Sequence, residues 1–124
     1  MKRIAFTAAM LLLSLGLSFD RLAADEPKLT NVRVIAYEYY DYYALPDRPK
    51  FKKVRSVRIE GQNRAGSTQV YQTGPSTEIE AVLYDVSVPS TYYVTVYWVD
   101  GERYYQSFTS EPRSENILRV HQPY

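Results

Sequence analysis

Apolar and polar residues change places at every second position through the middle of the chain. Val94, Val96 and Trp98 alternate with Tyr93, Thr95 and Tyr97. Successive side chains on a strand point to opposite faces, so this pattern predicts a strand with one face in a core. Upstream, Ile79, Ala81 and Leu83 alternate with Glu78 and Glu80, predicting a strand whose carboxylates face water. Pro89 separates the two runs, and Asp100-Gly101 follows Val99 as the signature of a tight two-residue hairpin turn. The stretch from Thr77 to Phe108 therefore reads as strand, Pro turn, strand, Asp-Gly turn, strand.

The remainder supplies four more candidate strands. From Leu29, Val32, Val34 and Ala36 alternate with Arg33, Ile35 and Tyr37, until tyrosines crowd both faces from Tyr37 to Tyr43. One long strand bending between two sheets explains that crowding, and contact with another molecule is the sharper alternative. Pro46 and Pro49 mark a turn. Lys50 to Glu60 then forms a strand with Phe51, Val57 and Ile59 on one face, and Lys52, Val54, Ser56, Arg58 and Glu60 on the other. The basic run Lys50 to Arg55 offers a binding patch for something acidic, and a solvated or edge strand protected against aggregation is the stronger reading. A loop from Gly61 to Gly66 leads to a short strand, Ser67 to Thr73, closed by Gly74-Pro75, and Asn116 to His121 makes the last. No run keeps a 3.6-residue period. Seven such strands predict an all-β, two-sheet antiparallel sandwich.

The first residues follow another logic. Met1-Lys2-Arg3 precedes an apolar run from Ile4 to Leu17, and Ala23-Ala24 offers small residues for cleavage. This predicts a secretory signal peptide over residues 1–24 and a single domain over 25–124, with no stable membrane span after cleavage. The localisation expected is secreted, periplasmic or cell-surface. The chain carries a net charge of +1, and residues 1–24 contribute Lys2, Arg3 and Arg21 against Asp20, so the remainder falls to −1. Near-neutrality argues against a nucleic-acid partner. With no cysteine anywhere, a disulfide framework and a lipid anchor on cysteine are both excluded.

The run Val86-Ser87-Val88-Pro89-Ser90-Thr91-Tyr92-Tyr93-Val94-Thr95-Val96-Tyr97 resembles the late strands of transthyretin-like modules. In the carboxypeptidase regulatory-like and collagen-adhesin B-type families, a Val-Pro-small-small-Tyr run leads into a hairpin in this way. Fibronectin type III domains share a related pattern and resemble it less well. Each resemblance implies an immunoglobulin-like sandwich. Ser90-Thr91 stands where these families often place a glycine before the tyrosine. Collagen-adhesin domains often carry a Lys–Asn amide crosslink, for which Lys28, Asn116 and Glu78 or Glu80 would be the set. The outward alternation of both glutamates argues against it.

Catalytic chemistry finds little material. His121 is the only histidine, so nucleophile–base pairs and zinc sites cannot be assembled, and neither a cofactor nor a metal is expected. Glu78 and Glu80 read as a solvated face, and an enzyme is not expected. The chemical excess is tyrosine, with thirteen residues. Its large ring and hydrogen-bonding tip suit interfaces. The candidate binding residues are Tyr37, Tyr39, Tyr40, Tyr42 and Tyr43 on the first strand, with Tyr93, Tyr97 and Tyr105 on the hairpin. The function expected is a non-catalytic structural or adhesive module acting through a protein partner or self-association. The alternative is a carbohydrate-binding or substrate-docking accessory module that holds a glycan on these tyrosines.

Overall fold

The structure is a computed structural model that describes residues 28–123. The expected signal peptide lies outside the described residues. The described chain is all-β: β1 (Leu29–Tyr37), β2 (Tyr39–Tyr40), β3 (Phe51–Lys52), β4 (Val54–Asn63), β5 (Gly66–Ser76), β6 (Glu78–Ser87), β7 (Thr91–Trp98), β8 (Arg103–Thr109) and β9 (Glu115–Val120).

Seven of these strands form one curled sheet in the order β8-β7-β4-β6-β1-β9, with β5 on the remaining side of β4. β4 pairs along its length with β5 and β7 but meets β6 at one residue pair, Asn63 with Val86. The curl therefore has two wings, β5-β4-β7-β8 and β6-β1-β9. All pairings are antiparallel except β1 with β9, which is parallel.

The alternating residues explain the curl. Val32 and Val34 from β1, Val57 and Ile59 from β4, Leu83 from β6, and Val96 and Trp98 from β7 share one buried cluster. Wings with apolar inner faces remove them from water by closing on each other, and the hydrophobic effect supplies the drive. Trp98 is the largest fully buried side chain. Its indole Nε1 donates to the Tyr37 carbonyl at 2.9 Å, so the ring is buried without an orphaned donor.

Five local expectations change. The long bending strand ends at Tyr37; Glu38 N donates to Thr77 O at 2.8 Å, and Tyr39-Tyr40 pairs instead with Phe51-Lys52 in a separate ribbon. Phe51 is consequently exposed rather than buried with Val57 and Ile59. Val54, expected beside Arg58 and Glu60, is fully buried, because a register shift between Val54 and Ser56 reverses the alternation. β5 continues past Thr73 to Ser76, and a Cβ at Gly74 would sit 2.9 Å from the Val54 carbonyl oxygen, so only glycine fits there. The Asp-Gly turn is a three-residue loop. Trp98 N donates to Glu102 O and Gly101 N to Trp98 O, both at 3.0 Å, and Gly101 alone of the turn takes a positive φ, 90°.

Two buried polar side chains pin the connections. Ser110 Oγ donates to Ser87 O at 2.7 Å and accepts from Ser90 N at 2.9 Å, holding the Pro89 turn against the end of β8. Asn116 Nδ2 donates to Thr30 Oγ1 at 2.9 Å and to Glu111 O at 3.1 Å, tying β9 to β1. The Asn116 amide is thus committed to hydrogen bonds, and Glu78 and Glu80 are exposed as the alternation predicts.

Candidate functional site: an aromatic tip and a tyrosine-arginine face

The eight candidate tyrosines fall into two separate groups. The first occupies one end of the molecule, where β1 passes into the β2-β3 ribbon and its loop. Tyr37 is half-buried and stacks on His121, with ring centroids 4.6 Å apart. Tyr39 is also half-buried: its ring meets Trp98 edge-on at 5.5 Å, and its hydroxyl donates to Asp100 Oδ2 at 2.6 Å. Burial, then that hydrogen bond, then the charges of Asp100, Asp41 and Glu102 push its pKa well above the ordinary phenol value. Both rings thus pack against neighbours in their own chain.

Beyond them the chain turns its apolar groups outward. Tyr42 is 80% exposed and Tyr43 95% exposed, and Tyr40, Leu45, Phe51 and Val99 are exposed around them. Tyr40 meets Tyr42 at 4.6 Å and Phe51 at 5.2 Å, both edge-on. The loop that carries them is shaped by its own hydrogen bonds. Asp41 N donates to Lys50 O at 2.6 Å, closing the loop, and Tyr43 N donates to Asp41 Oδ1 at 3.0 Å. Tyr, Leu and Phe exposed at one end, with no covering element among the described residues, form the kind of patch that marks an interaction site.

The second group lies on the outer face of the β5-β4-β7-β8 wing. Register sets its rows. Tyr71, Arg58, Thr95 and Tyr105 stand side by side across the four strands. On one side runs Gln69, Glu60, Tyr93 and Ser107, and on the other Thr73, Ser56, Tyr97 and Arg103. The Tyr93 and Tyr105 rings stack with centroids 6.4 Å apart. Arg55 lies 5.6 Å over the Tyr97 ring and Arg103 5.7 Å over Tyr105, both cation–π distances. Arg58 pairs with Glu60 at 3.2 Å. Arg55, Arg58, Gln69, Tyr71 and Tyr97 border a groove of about 340 Å³.

At the centre of this face Thr95 is anomalous. It stands on the outward row yet is only 3% exposed, and its Oγ1 is buried with no hydrogen-bond partner among the described residues. An unmet buried hydroxyl costs about 1–3 kcal/mol. The other wing presents no such excess of cations. There Arg33 contacts both Glu80 at 2.6 Å and Glu115 at 2.9 Å, one guanidinium shared by two carboxylates.

Sequence reasoning named Tyr93, Tyr97 and Tyr105, and the structure brings them together. It missed Tyr71 and Arg58; Thr95 entered only as a member of the outward row, and Arg55 only as part of a basic run read as a solvated or edge strand. Alternation along β5 and β4 held a signal for Tyr71 and Arg58, but their adjacency depends on which strands pair. Among the described residues there is no group of His, Asp or Glu that could hold a metal ion. Among them, too, no helix is long and apolar enough to cross a membrane, which says nothing of a β-barrel.

Neither a protein-family model, nor a curated protein, nor a solved structure matches the chain.

Proposed function

We propose that the chain is a secreted, non-catalytic module that works by association, a structural or adhesive subunit of the cell envelope or surface whose partner protein is held by the aromatic tip. The observation that carries this reading is the exposure of Tyr40, Tyr42, Tyr43, Leu45 and Phe51 on one pre-shaped loop and ribbon. A partner covering these rings would remove much apolar surface from water without ordering a flexible segment first, which lowers the cost of binding. Tyrosine at the centre of such a contact is a frequent source of binding energy.

The finer architecture belongs to the same proposal. We take the two wings as the two layers of an immunoglobulin-like sandwich related to transthyretin-like modules. Support comes from the single Asn63–Val86 junction between the wings and from the apolar cluster they share. Ser90 stands where those families often carry glycine; its hydroxyl donates to Ser87 O at 2.7 Å.

The test is capture of envelope proteins on immobilised protein, with sedimentation across a concentration series. Wild type is expected to retain a specific protein or to self-associate, and Tyr42→Ser/Tyr43→Ser to lose that property while melting at the same temperature. A strictly monomeric wild type that retains nothing the double variant fails to retain overturns the reading.

A further inference from the structure

The face of the first wing offers chemistry that the aromatic tip lacks. Arg58 and Arg103 stand in its rows and Arg55 lies beside them over Tyr97, three guanidiniums against one row carboxylate, Glu60. Among the described residues Arg55 and Arg103 join no ion pair; each is instead laid over a tyrosine ring. A guanidinium outside any ion pair keeps N–H groups that can meet a carboxylate in two parallel hydrogen bonds. Tyr71, Tyr93 and Tyr105 add exposed rings between these cations.

We propose that this face binds a polysaccharide built from uronic acid units. The tyrosine rings would cover the apolar C–H faces of the sugars, and the arginines would take the carboxylates. Charge complementarity selects an anionic chain over a neutral one. The occupant is a sugar polymer rather than a strand-adding peptide because a sheet face has no open backbone ladder, and peptides that add a strand dock on edges. The dimensions suit linked rings. Tyr93 to Tyr97 spans about 13 Å along β7, and four strands are about 14 Å wide.

Thr95 supplies the second, independent observation. Outward alternation aims its side chain at this face, Arg58 is its register neighbour on β4, and its buried Oγ1 has no partner among the described residues. A ligand carboxylate that replaces Glu60 as the partner of Arg58 draws the guanidinium aside. That movement opens Oγ1 to a sugar hydroxyl. The unmet atom of the free protein becomes a hydrogen bond of the complex, and Glu60 is the internal competitor that the ligand displaces. This binding is independent of the tip.

The experiment is isothermal titration of the purified protein with oligogalacturonate. Arms with its methyl ester, polyglutamate, oligo-dT and dextran sulfate separate a sugar carboxylate from bulk negative charge. The expected result is binding that salt weakens and that esterification reduces at least about tenfold, with each of the three other polyanions also at least about tenfold weaker. Arg58→Ala, Arg103→Ala and Tyr93→Ala each lose about tenfold. Thr95→Val loses several-fold while raising the melting temperature, an opposition that a merely structural role would not produce. Arg33→Ala on the other wing and Tyr42→Ser/Tyr43→Ser on the tip bind as wild type. Absence of binding, equal affinity for the methyl ester or for any of the other polyanions, or indifference to both Tyr93→Ala and Thr95→Val overturns the proposal.

Discussion

The tip and the face are both tyrosine-rich, yet they solve opposite problems. At the tip, Tyr42 and Tyr43 project from a loop, and no arginine lies over their rings within cation–π distance among the described residues. On the face, Tyr97 and Tyr105 are held by paired strands and each carries a guanidinium above it. The first arrangement gains by losing water from apolar rings, and the second by directing charged hydrogen bonds from a rigid platform. The residue type is the same; its neighbours decide what it can recognise.

Substitutions can break that contrast. The largest expected effect is at Trp98, which underlies the tip through Tyr37 and Tyr39. Trp98→Ala should cost about 3–5 kcal/mol in urea unfolding, because it empties a fully buried site and orphans the Tyr37 carbonyl. A cost under about 1 kcal/mol would mean that the tip is not anchored on this ring.

Next comes Tyr39→Phe, which should cost about 1 kcal/mol through the lost bond to Asp100. It also has a pH signature. Because the folded-state pKa is raised above the unfolded value of 10.0, the phenol's contribution is complete below pH 10 and is lost as pH climbs toward the folded value. Stability should therefore fall above pH 10, and less steeply in Tyr39→Phe. Burial also raises the pKa of Tyr92, so part of the slope must survive the substitution. Melting temperatures from pH 8 to 11 measure both limbs.

On the face the sign reverses. Thr95→Val should stabilise the free protein by about 1 kcal/mol, since a methyl replaces a hydroxyl that has no partner. A destabilised Thr95→Val would show that the hydroxyl is satisfied in solution. The smallest effect belongs to Glu60→Ala. Its ion pair with Arg58 is half-exposed, and unfolding should shift by no more than about 0.5 kcal/mol.

Period-two alternation makes most of the scaffold legible in the sequence alone. Val94, Val96 and Trp98 point inward as it requires, and so do Ile79, Ala81 and Leu83. It failed where the period itself broke. The extra residue at Val54–Ser56 turned Val54 inward, and no composition cue marks that shift. The break at Glu38 was hidden because tyrosines crowd Tyr37 to Tyr43 on both sides, which leaves no alternation to interrupt. The tyrosines themselves were conspicuous, but their division into tip and face was not. Tyr71 and Arg58 become neighbours through β4-β5 pairing, and Arg58 and Thr95 through β4-β7 pairing across 37 positions of sequence. Long-range pairing leaves no local trace, so a face assembled from four strands stays dispersed along the chain.

The parallel pairing of β1 with β9 bears on the order in which the molecule can be completed. Thr30 and Asn116, bonded to each other, lie 86 positions apart. The second wing cannot close until the last strand has arrived, and contacts this remote are slow to form. A chain ending at Ser114 should keep β1 open to amide exchange along the edge that β9 covers. The second wing would thus stay unlocked for as long as β9 is withheld, and residues 115–120 act as its latch.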